Sequence, residues 1–146
     1  MTFYTPGFVD PATIPPDIEA LGYQFLTPLV APTPVATRLP NPADDADTVN
    51  GFLRIEDGGG TKANLLEWNR TLFLHAYSTD EVEASQICRT AVGWMSGARG
   101  QVIDGWSVTY VPHVVSTHRL GDPNVQLLTR YRAAVTWRIP GHILST

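Results

Sequence analysis

Residues 70–95 read RTLFLHAYSTDEVEASQICRTAVGWM, and this stretch decides the fold because it joins a strand pattern directly to a helix pattern. Residues 70–77 are rich in aromatic and β-branched types, which favour a central strand. Ser78–Glu81 then has the pattern of a capping box, with two acids in the first turn. Beyond it, apolar residues recur at spacings of three and four, namely at Ala84, Ile87, Cys88, Ala91, Trp94 and Met95. The pattern predicts a helix over about residues 79–96, closed by Gly97.

Two further strands are predicted from alternation on either side of this stretch. Residues 50–57 (NGFLRIED) place Phe52, Arg54 and Glu56 on one face and Leu53 and Ile55 on the other. Residues 126–139 (QLLTRYRAAVTWRI) predict a long strand with one arginine-bearing face and one apolar face. The first face carries Leu128, Arg130, Arg132, Ala134, Thr136 and Arg138, and the second carries Leu127, Thr129, Tyr131, Ala133, Val135 and Trp137.

Glycine and proline mark the expected connections. Gly58–Gly60, followed by Thr61 and Lys62, predicts a turn or a flexible hairpin tip. Residues 101–116 alternate in part and are interrupted by Pro112, which a bent or edge strand accommodates. Residues 117–124 are expected to form a loop with a turn at Gly121–Pro123.

The N-terminal part of the chain is dominated by proline, since nine of the 12 prolines fall within the first 42 residues. Residues 1–15 show neither helical nor strand periodicity and are expected to form an extended arm that lies against another surface. A short helix is predicted from Pro16, with Ile18, Leu21 and Phe25 on one stripe. Gly22 and Pro28 are expected to limit its length.

The order of these patterns predicts an α+β fold, because strands and helices do not alternate as in a nucleotide-binding fold. We expect a mostly antiparallel or mixed sheet of about four strands, packed against one long helix and a short N-terminal helix. Residues 16–146 would form this single domain and residues 1–15 the proline-rich arm.

Composition excludes several classes of function. The chain has 146 residues and a net charge of −4, with 10 basic and 14 acidic residues, and no basic stripe of the kind that grips phosphates is visible. Cys88 is the only cysteine, which excludes an internal disulfide framework and fits a reducing compartment such as a cytoplasm. No stretch reaches the ~18 consecutive apolar residues of a membrane helix, and no signal peptide is expected at the N-terminus.

Sequence motifs for catalysis, cofactor binding or metal binding are weak. Gly58-x-Gly60-x-x-Ala63 resembles a dinucleotide fingerprint, but only about seven residues separate it from the next strand, too few for a crossover helix. Asp45, Asp47 and Glu56 have the spacing of a calcium loop that Val49 and Asn50 interrupt. The histidines at 75, 113, 118 and 142 have no carboxylate or thiol at metal spacing and are interpreted as structural. Cys88 is interpreted as a small buried hydrophobe. We therefore expect no catalytic residue, no metal, no cofactor and no enzymatic activity.

An ordered set of segments resembles the tail terminator proteins of long, non-contractile-tailed bacteriophages, especially those that infect actinobacteria. The segments are Pro16–Glu19, Phe52–Gly60, Leu72–Tyr77, Ser78–Met95 and Gly121–Pro123 leading into Arg130–Arg138, and together they span about residues 16–139. Thr129 stands where the family often has a proline before the last strand. The proline-rich arm is longer than the N-terminus expected for the family.

The resemblance implies a virion protein, assembled in the host cytoplasm, that forms a hexameric ring at the head-proximal end of the tail tube. Such a ring stops tube polymerisation and provides the surface for head–tail joining. Its partners would be further copies of itself, the major tail tube protein and the head-completion or stopper protein, while DNA passes without specific binding and no membrane is involved. The alternatives are another neck component such as a stopper, a minor tail protein, or a small ligand-binding domain or enzyme.

Two sets of residues are candidate assembly positions. We expect interface roles for Phe3, Tyr4, Phe8, Val9, Arg119, Asp122, Arg130, Arg132 and Arg138. We expect the acidic segment with Asp44, Asp45 and Asp47 to lie in the lumen or on the ring surface, with a plain solvated turn as the alternative. A net acidic chain suits a channel wall that must not retain a phosphate backbone.

Overall fold

A five-stranded sheet with two helices on one face forms the centre of the chain. The computed structural model describes residues 11–39, 51–120 and 128–144. The strands are β1 (Thr13–Ile14), β2 (Val35–Ala36), β3 (Phe52–Lys62), β4 (Glu67–Ser78), β5 (Val102–Ile103), β6 (Trp106–Ser107), β7 (Tyr110–Leu120), β8 (Thr129–Pro140) and β9 (His142–Ile143), and the helices are α1 (Ile18–Leu29) and α2 (Glu81–Ser96). The α+β class is therefore confirmed.

The main sheet has the strand order β2-β3-β4-β8-β7. Strand β2 runs parallel to β3, and the other neighbours are antiparallel, so the sheet is mixed as expected but has five strands rather than four. β1 and β9 form a separate antiparallel pair, with Thr13 opposite Ile143. Thus Thr13 and Ile14, at the end of the predicted arm, are a short strand, while residues 1–10 of that arm lie outside the described residues.

The core lies between the sheet and the helices. Aliphatic side chains from β3, β4 and β8 are buried there, as the alternation predicts; they include Leu53, Ile55, Leu72, Leu74, Ala133 and Val135. The Trp137 indole N–H donates to the Met95 carbonyl at 2.8 Å, and its ring meets Phe25 edge-on with 5.4 Å between centroids. One fully buried side chain of β8 thereby contacts both helices.

Helix α2 follows the predicted stripe with two corrections. It begins at Glu81, with Asp80 as its N-cap accepting from the Val82 N–H at 3.0 Å, whereas the Ser78 hydroxyl accepts from the Asp80 N–H. The helix therefore begins two residues later than predicted, because Asp80 rather than Ser78 takes the N-cap position. Gly97 closes the helix as predicted. Trp94, placed on the apolar stripe by its spacing, is 47% exposed.

Helix α1 is longer than predicted. It has 12 residues against 16 in α2, so the layer consists of two comparable helices rather than one long and one short. Gly22 does not limit it: a Cβ at this buried position would collide with the Leu72 side chain, so glycine permits close approach of α1 to the sheet. Pro28 lies in the last turn, where few main-chain bonds remain to be lost.

The glycine-rich segment is a bulge within β3, so the predicted hairpin tip at Gly58–Gly60 is wrong. The register shifts between Asp57 and Gly60, and pairing with β4 resumes through Lys62. Gly59 has φ +83° and Gly60 φ +155°, and a Cβ on Gly60 would collide with the Asn69 carbonyl. The real turn is at residues 63–66. Glycine serves a bulge as well as a turn, and the spacing alone does not separate the two.

The region after α2 divides differently from the prediction. β5 and β6 form a small hairpin whose turn residues, Asp104 and Gly105, have φ of +50° and +80°. β7 follows as an edge strand containing Pro112, as predicted, and its register with β8 is irregular on both sides of residues 113–115. Residues 117–120, predicted as loop, belong to this strand because β8 supplies their pairing. Residues 121–127 lie outside the described residues.

Candidate interaction surfaces

The sheet face opposite the helices carries the arginines that alternation in β8 singled out. Arg130, Arg132 and Arg138 share this face, which confirms the predicted side of the strand. The register places His75 of β4 between Arg132 of β8 and Arg54 of β3. With Arg54, this face carries four of the ten basic residues of the chain. Alternation within β8 does not reveal that β3 contributes Arg54, because the pairing of distant strands is not visible in a local pattern.

The arginines of this face are engaged with their own chain. The Arg132 guanidinium lies 4.2 Å from the centroid of the Phe73 ring. Arg138 donates from Nε to the Asn69 Oδ1 at 3.1 Å and lies 5.4 Å from the centroid of Tyr110. Contacts of this kind hold the charge against an aromatic or amide partner and reduce what it offers to a phosphate.

His75 forms the most buried polar cluster of the same face. It is 3% exposed, and its Nε2 lies 3.2 Å from Oε1 of Glu56, whose Oε2 accepts from Arg54 at 3.0 Å. Burial lowers the pKa of His75, although the hydrogen bond to Glu56 acts in the opposite direction. Burial also raises the pKa of Glu56, but the His75 hydrogen bond and the Arg54 charge outweigh it and hold that pKa below its ordinary value. The neutral imidazole is therefore favoured in the folded chain.

Within this cluster the His75 ring is buried, whereas the Glu56 side chain is 42% exposed. The second ring nitrogen of His75, Nδ1, is fully buried and has no hydrogen-bond partner among the described residues. A general base must reach the proton that it takes, directly or through one water. The geometry therefore agrees with the structural role predicted for His75, with one of its two nitrogens satisfied.

Arg119 is separated from the other predicted interface arginines. It lies opposite Tyr131 in the register, which places it on the helix side of the sheet. Its side chain is 62% exposed, and Nη1 lies 3.3 Å from Oε1 of Glu81, which also accepts from the Tyr131 hydroxyl at 3.1 Å. The structure thus does not bring Arg119 together with Arg130, Arg132 and Arg138.

The remaining predicted assembly positions lie outside the described residues. They are Phe3, Tyr4, Phe8 and Val9 of the arm, Asp44, Asp45 and Asp47 of the acidic segment, and Asp122.

A surface that the sequence analysis did not predict lies at the end of the sheet where the β3–β4 turn is found. We call it the aliphatic end surface, and it consists of Ile14, Leu65, Leu66, Val102, Ile143 and Leu144. Hydrogen bonds join its segments: the Gly141 N–H donates to the Leu66 carbonyl at 2.7 Å, and the Leu144 N–H donates to the Ala12 carbonyl at 2.8 Å. His142 stacks on Trp106 with 3.4 Å between ring centroids and so attaches the β5–β6 hairpin to β9.

The aliphatic end surface exposes much apolar side chain to water. Its six side chains are 46–68% exposed. They come from both sides of the β1–β9 pair, because Ile14 lies opposite His142 whereas Ile143 lies opposite Thr13. Exposed aliphatic clusters commonly mark contact sites with other proteins. The chain segments that build it are far apart in sequence, and only the pair Leu65–Leu66 in a turn would have signalled it.

The described residues hold no group of three or more histidine, cysteine or acidic side chains that could bind a metal ion. Burial raises the pKa of the Cys88 thiol, which keeps it protonated and unreactive. A groove between the end of α1 and α2 is lined by small, apolar and uncharged polar side chains together with Glu83.

Comparison with known proteins adds no family to these observations. A scan against protein-family models finds no match to this chain, and a search of curated proteins finds none either. No described helix is both long and apolar enough to span a membrane.

Proposed function

We propose that the chain is a structural virion protein, a tail terminator that forms a ring, hexameric by analogy, at the head-proximal end of a phage tail tube. The observation that supports this most is the aliphatic end surface, six exposed aliphatic side chains on segments that meet at one end of the sheet. Aliphatic side chains exposed in this way are costly for a free monomer, and contact with another protein would bury them.

The direction of this surface suits a stacking role. It lies where β4 begins and β8 ends, so it faces along the strands rather than sideways. In a ring whose strands run along the ring axis, such a surface faces the adjoining ring. We assign the aliphatic end surface to axial contact with either the tube protein or the head-completion protein.

The charge of the whole chain agrees with a passage for DNA, because it is net acidic at −4. Arg132 and Arg138 of β8 are engaged by Phe73 and Asn69 rather than displayed as an open stripe. A wall with little free positive charge does not retain the phosphate backbone. A terminator needs no catalytic residue or cofactor, and it acts in the virion at the head–tail interface.

Native mass spectrometry and a capping assay test the proposal. The purified chain should form a ring, and the ring should stop the elongation of tubes formed by the tail tube protein. Leu65→Asp and Ile143→Asp each place a charge on the aliphatic end surface and should abolish capping or head joining while leaving the monomer folded. Val82→Asp is the matched control, because Val82 is 69% exposed on α2, away from that surface.

Three results would count against the proposal. A chain that stays monomeric at high concentration and does not bind tube ends is not a terminator. A ring that binds heads but not tube ends is a stopper. Equal capping by Leu65→Asp, Ile143→Asp and Val82→Asp would remove the aliphatic end surface from the mechanism.

A further inference from the structure

Strand β7 is an open edge of the main sheet. Val114 and Val115 point to opposite faces of the sheet and are both 39% exposed, so neither face of this strand is fully covered. Among the described residues no strand pairs with the outer side of β7. An open edge of this kind is a template for pairing with another strand.

The opposite edge of the sheet is closed along most of its length. The Leu53 N–H of β3 donates to the Pro34 carbonyl at 2.9 Å, beside β2. Further along β3, the Asp57 N–H donates to Glu19 at 3.2 Å, and the Gly59 N–H donates to Asp57 Oδ1 at 2.7 Å. Side chains thus satisfy the outer amides of β3. The part of this edge that remains for pairing is the outer side of β2 with residues 37–39, which are exposed.

The strand directions allow these two edges to meet head to tail. β3 and β8 run in one direction, β4 and β7 in the other, and β2 is parallel to β3. If a second copy is placed beside the first by rotation about an axis along the strands, β7 of one copy faces β2 of the next in the antiparallel sense. Antiparallel pairing is the more stable of the two arrangements.

We propose that neighbouring copies in the ring are joined by antiparallel pairing between β7 of one copy and residues 35–39 of the next. This inference rests on the ring proposed above and identifies its lateral contact. The contact is heterologous, and where its rotation closes it forms a ring with no free edge. The two edges also match in length, because β2 has two residues and the regular part of β7 is residues 113–115.

Side chains favour one register of this pairing. With Ala36 opposite Val115, both on the face away from the helices, Thr37 lies opposite Val114 on the helix face, so small and aliphatic side chains face each other. Arg38 then lies opposite His113. This register staggers the neighbouring copies along the strands, as tilted strands in a closed ring require. Pro112 and the irregular register on both sides limit the pairing to a few residues, which guards against open-ended aggregation.

Hydrogen–deuterium exchange tests the pairing without assuming a register. The outward-facing amides of residues 113–115 and 35–39 should exchange at least tenfold more slowly in the ring than in the dilute monomer. Val114→Asp should raise the concentration for half-assembly at least tenfold, whereas Val82→Asp should leave it unchanged. A ring that forms without protection of β7, or that forms equally well with Val114→Asp, overturns the lateral contact while the ring itself stands.

Cysteine cross-linking then tests the direction and the register. Oxidation of the Ala36→Cys/Val115→Cys double variant should give a ladder of linked chains that ends at the size of the ring, and each single variant should give none. A linked dimer from Val115→Cys alone would mean that β7 pairs with itself and would overturn the proposal. A linked ring that fails to cap tubes would instead refute the terminator function and leave the edge pairing intact.

Discussion

Replacement of Trp137 by phenylalanine should destabilise the fold by about 2–3 kcal/mol, since this side chain contacts both helices. The variant loses the indole hydrogen bond to the Met95 carbonyl, worth about 1 kcal/mol because that carbonyl keeps a longer bond from the Ala98 N–H. It also leaves a space of roughly 40 Å³, which costs about 1 kcal/mol if the core does not collapse. Weaker contact with Phe25 adds up to ~1 kcal/mol.

Urea unfolding followed by far-ultraviolet circular dichroism measures the effect without depending on the altered tryptophan. The control is Trp94→Phe, because Trp94 is 47% exposed on α2 and should lose less than about 0.5 kcal/mol. The slope of the free energy with urea should stay the same in both variants, so that a shift in midpoint reports stability. Equal losses for the two tryptophans, or a loss below about 1 kcal/mol at Trp137, would show that the core is not organised around this residue.

Two predictions concern the sheet. Gly60→Ala should lower the free energy of unfolding by about 2–3 kcal/mol, because the added Cβ meets the Asn69 carbonyl. Gly59→Ala has open space around it and should cost only ~1 kcal/mol, because of its positive φ. Urea unfolding midpoints compare the two variants, and equal losses would contradict the bulge. The pKa of His75 is lowered in the folded chain, so the unfolded chain takes up a proton first as the pH falls. The free energy of unfolding should therefore fall below about pH 6.5, and His75 contributes at most ~1.4 kcal/mol per pH unit to this slope. His75→Gln should remove that slope between pH 7.5 and 5.5, and an unchanged slope would show that other groups cause it.

Local patterns predicted those parts of the fold whose neighbours lie nearby in sequence. The stripe of α2 and the two faces of β8 are set by periods of 3.6 and 2 residues, which do not depend on the rest of the chain. Gly22 and Gly58–Gly60 were misread because their role depends on contact with Leu72 and with the strand carrying Asn69. A glycine pattern shows that the backbone needs freedom or space, but only the contact partner shows which of the two is needed.

The candidate surfaces were less predictable than the fold for the same reason. Arg130, Arg132 and Arg138 share a face because one strand carries them all, so alternation was sufficient. Arg119 belongs to β7, where the register shifts between Val115 and His118, and such a shift changes which face a side chain takes. The β3–β4 turn meets the segment before β9 through the bond from the Gly141 N–H to the Leu66 carbonyl. A local sequence pattern cannot show that these distant segments are neighbours.

The edge of β3 and the edge of β7 differ in a way that bears on assembly. The chain uses Glu19 and Asp57 to satisfy the outer amides of β3, although solvent would satisfy an exposed edge equally well. A side chain fixed on an edge excludes a competing strand, so β3 cannot be paired without displacing both carboxylates. Among the described residues no strand pairs with the outer side of β7. The edges left for pairing are therefore β7 on one side and β2 with residues 37–39 on the other, and a contact between two different edges is the head-to-tail contact that a closed ring of identical subunits requires.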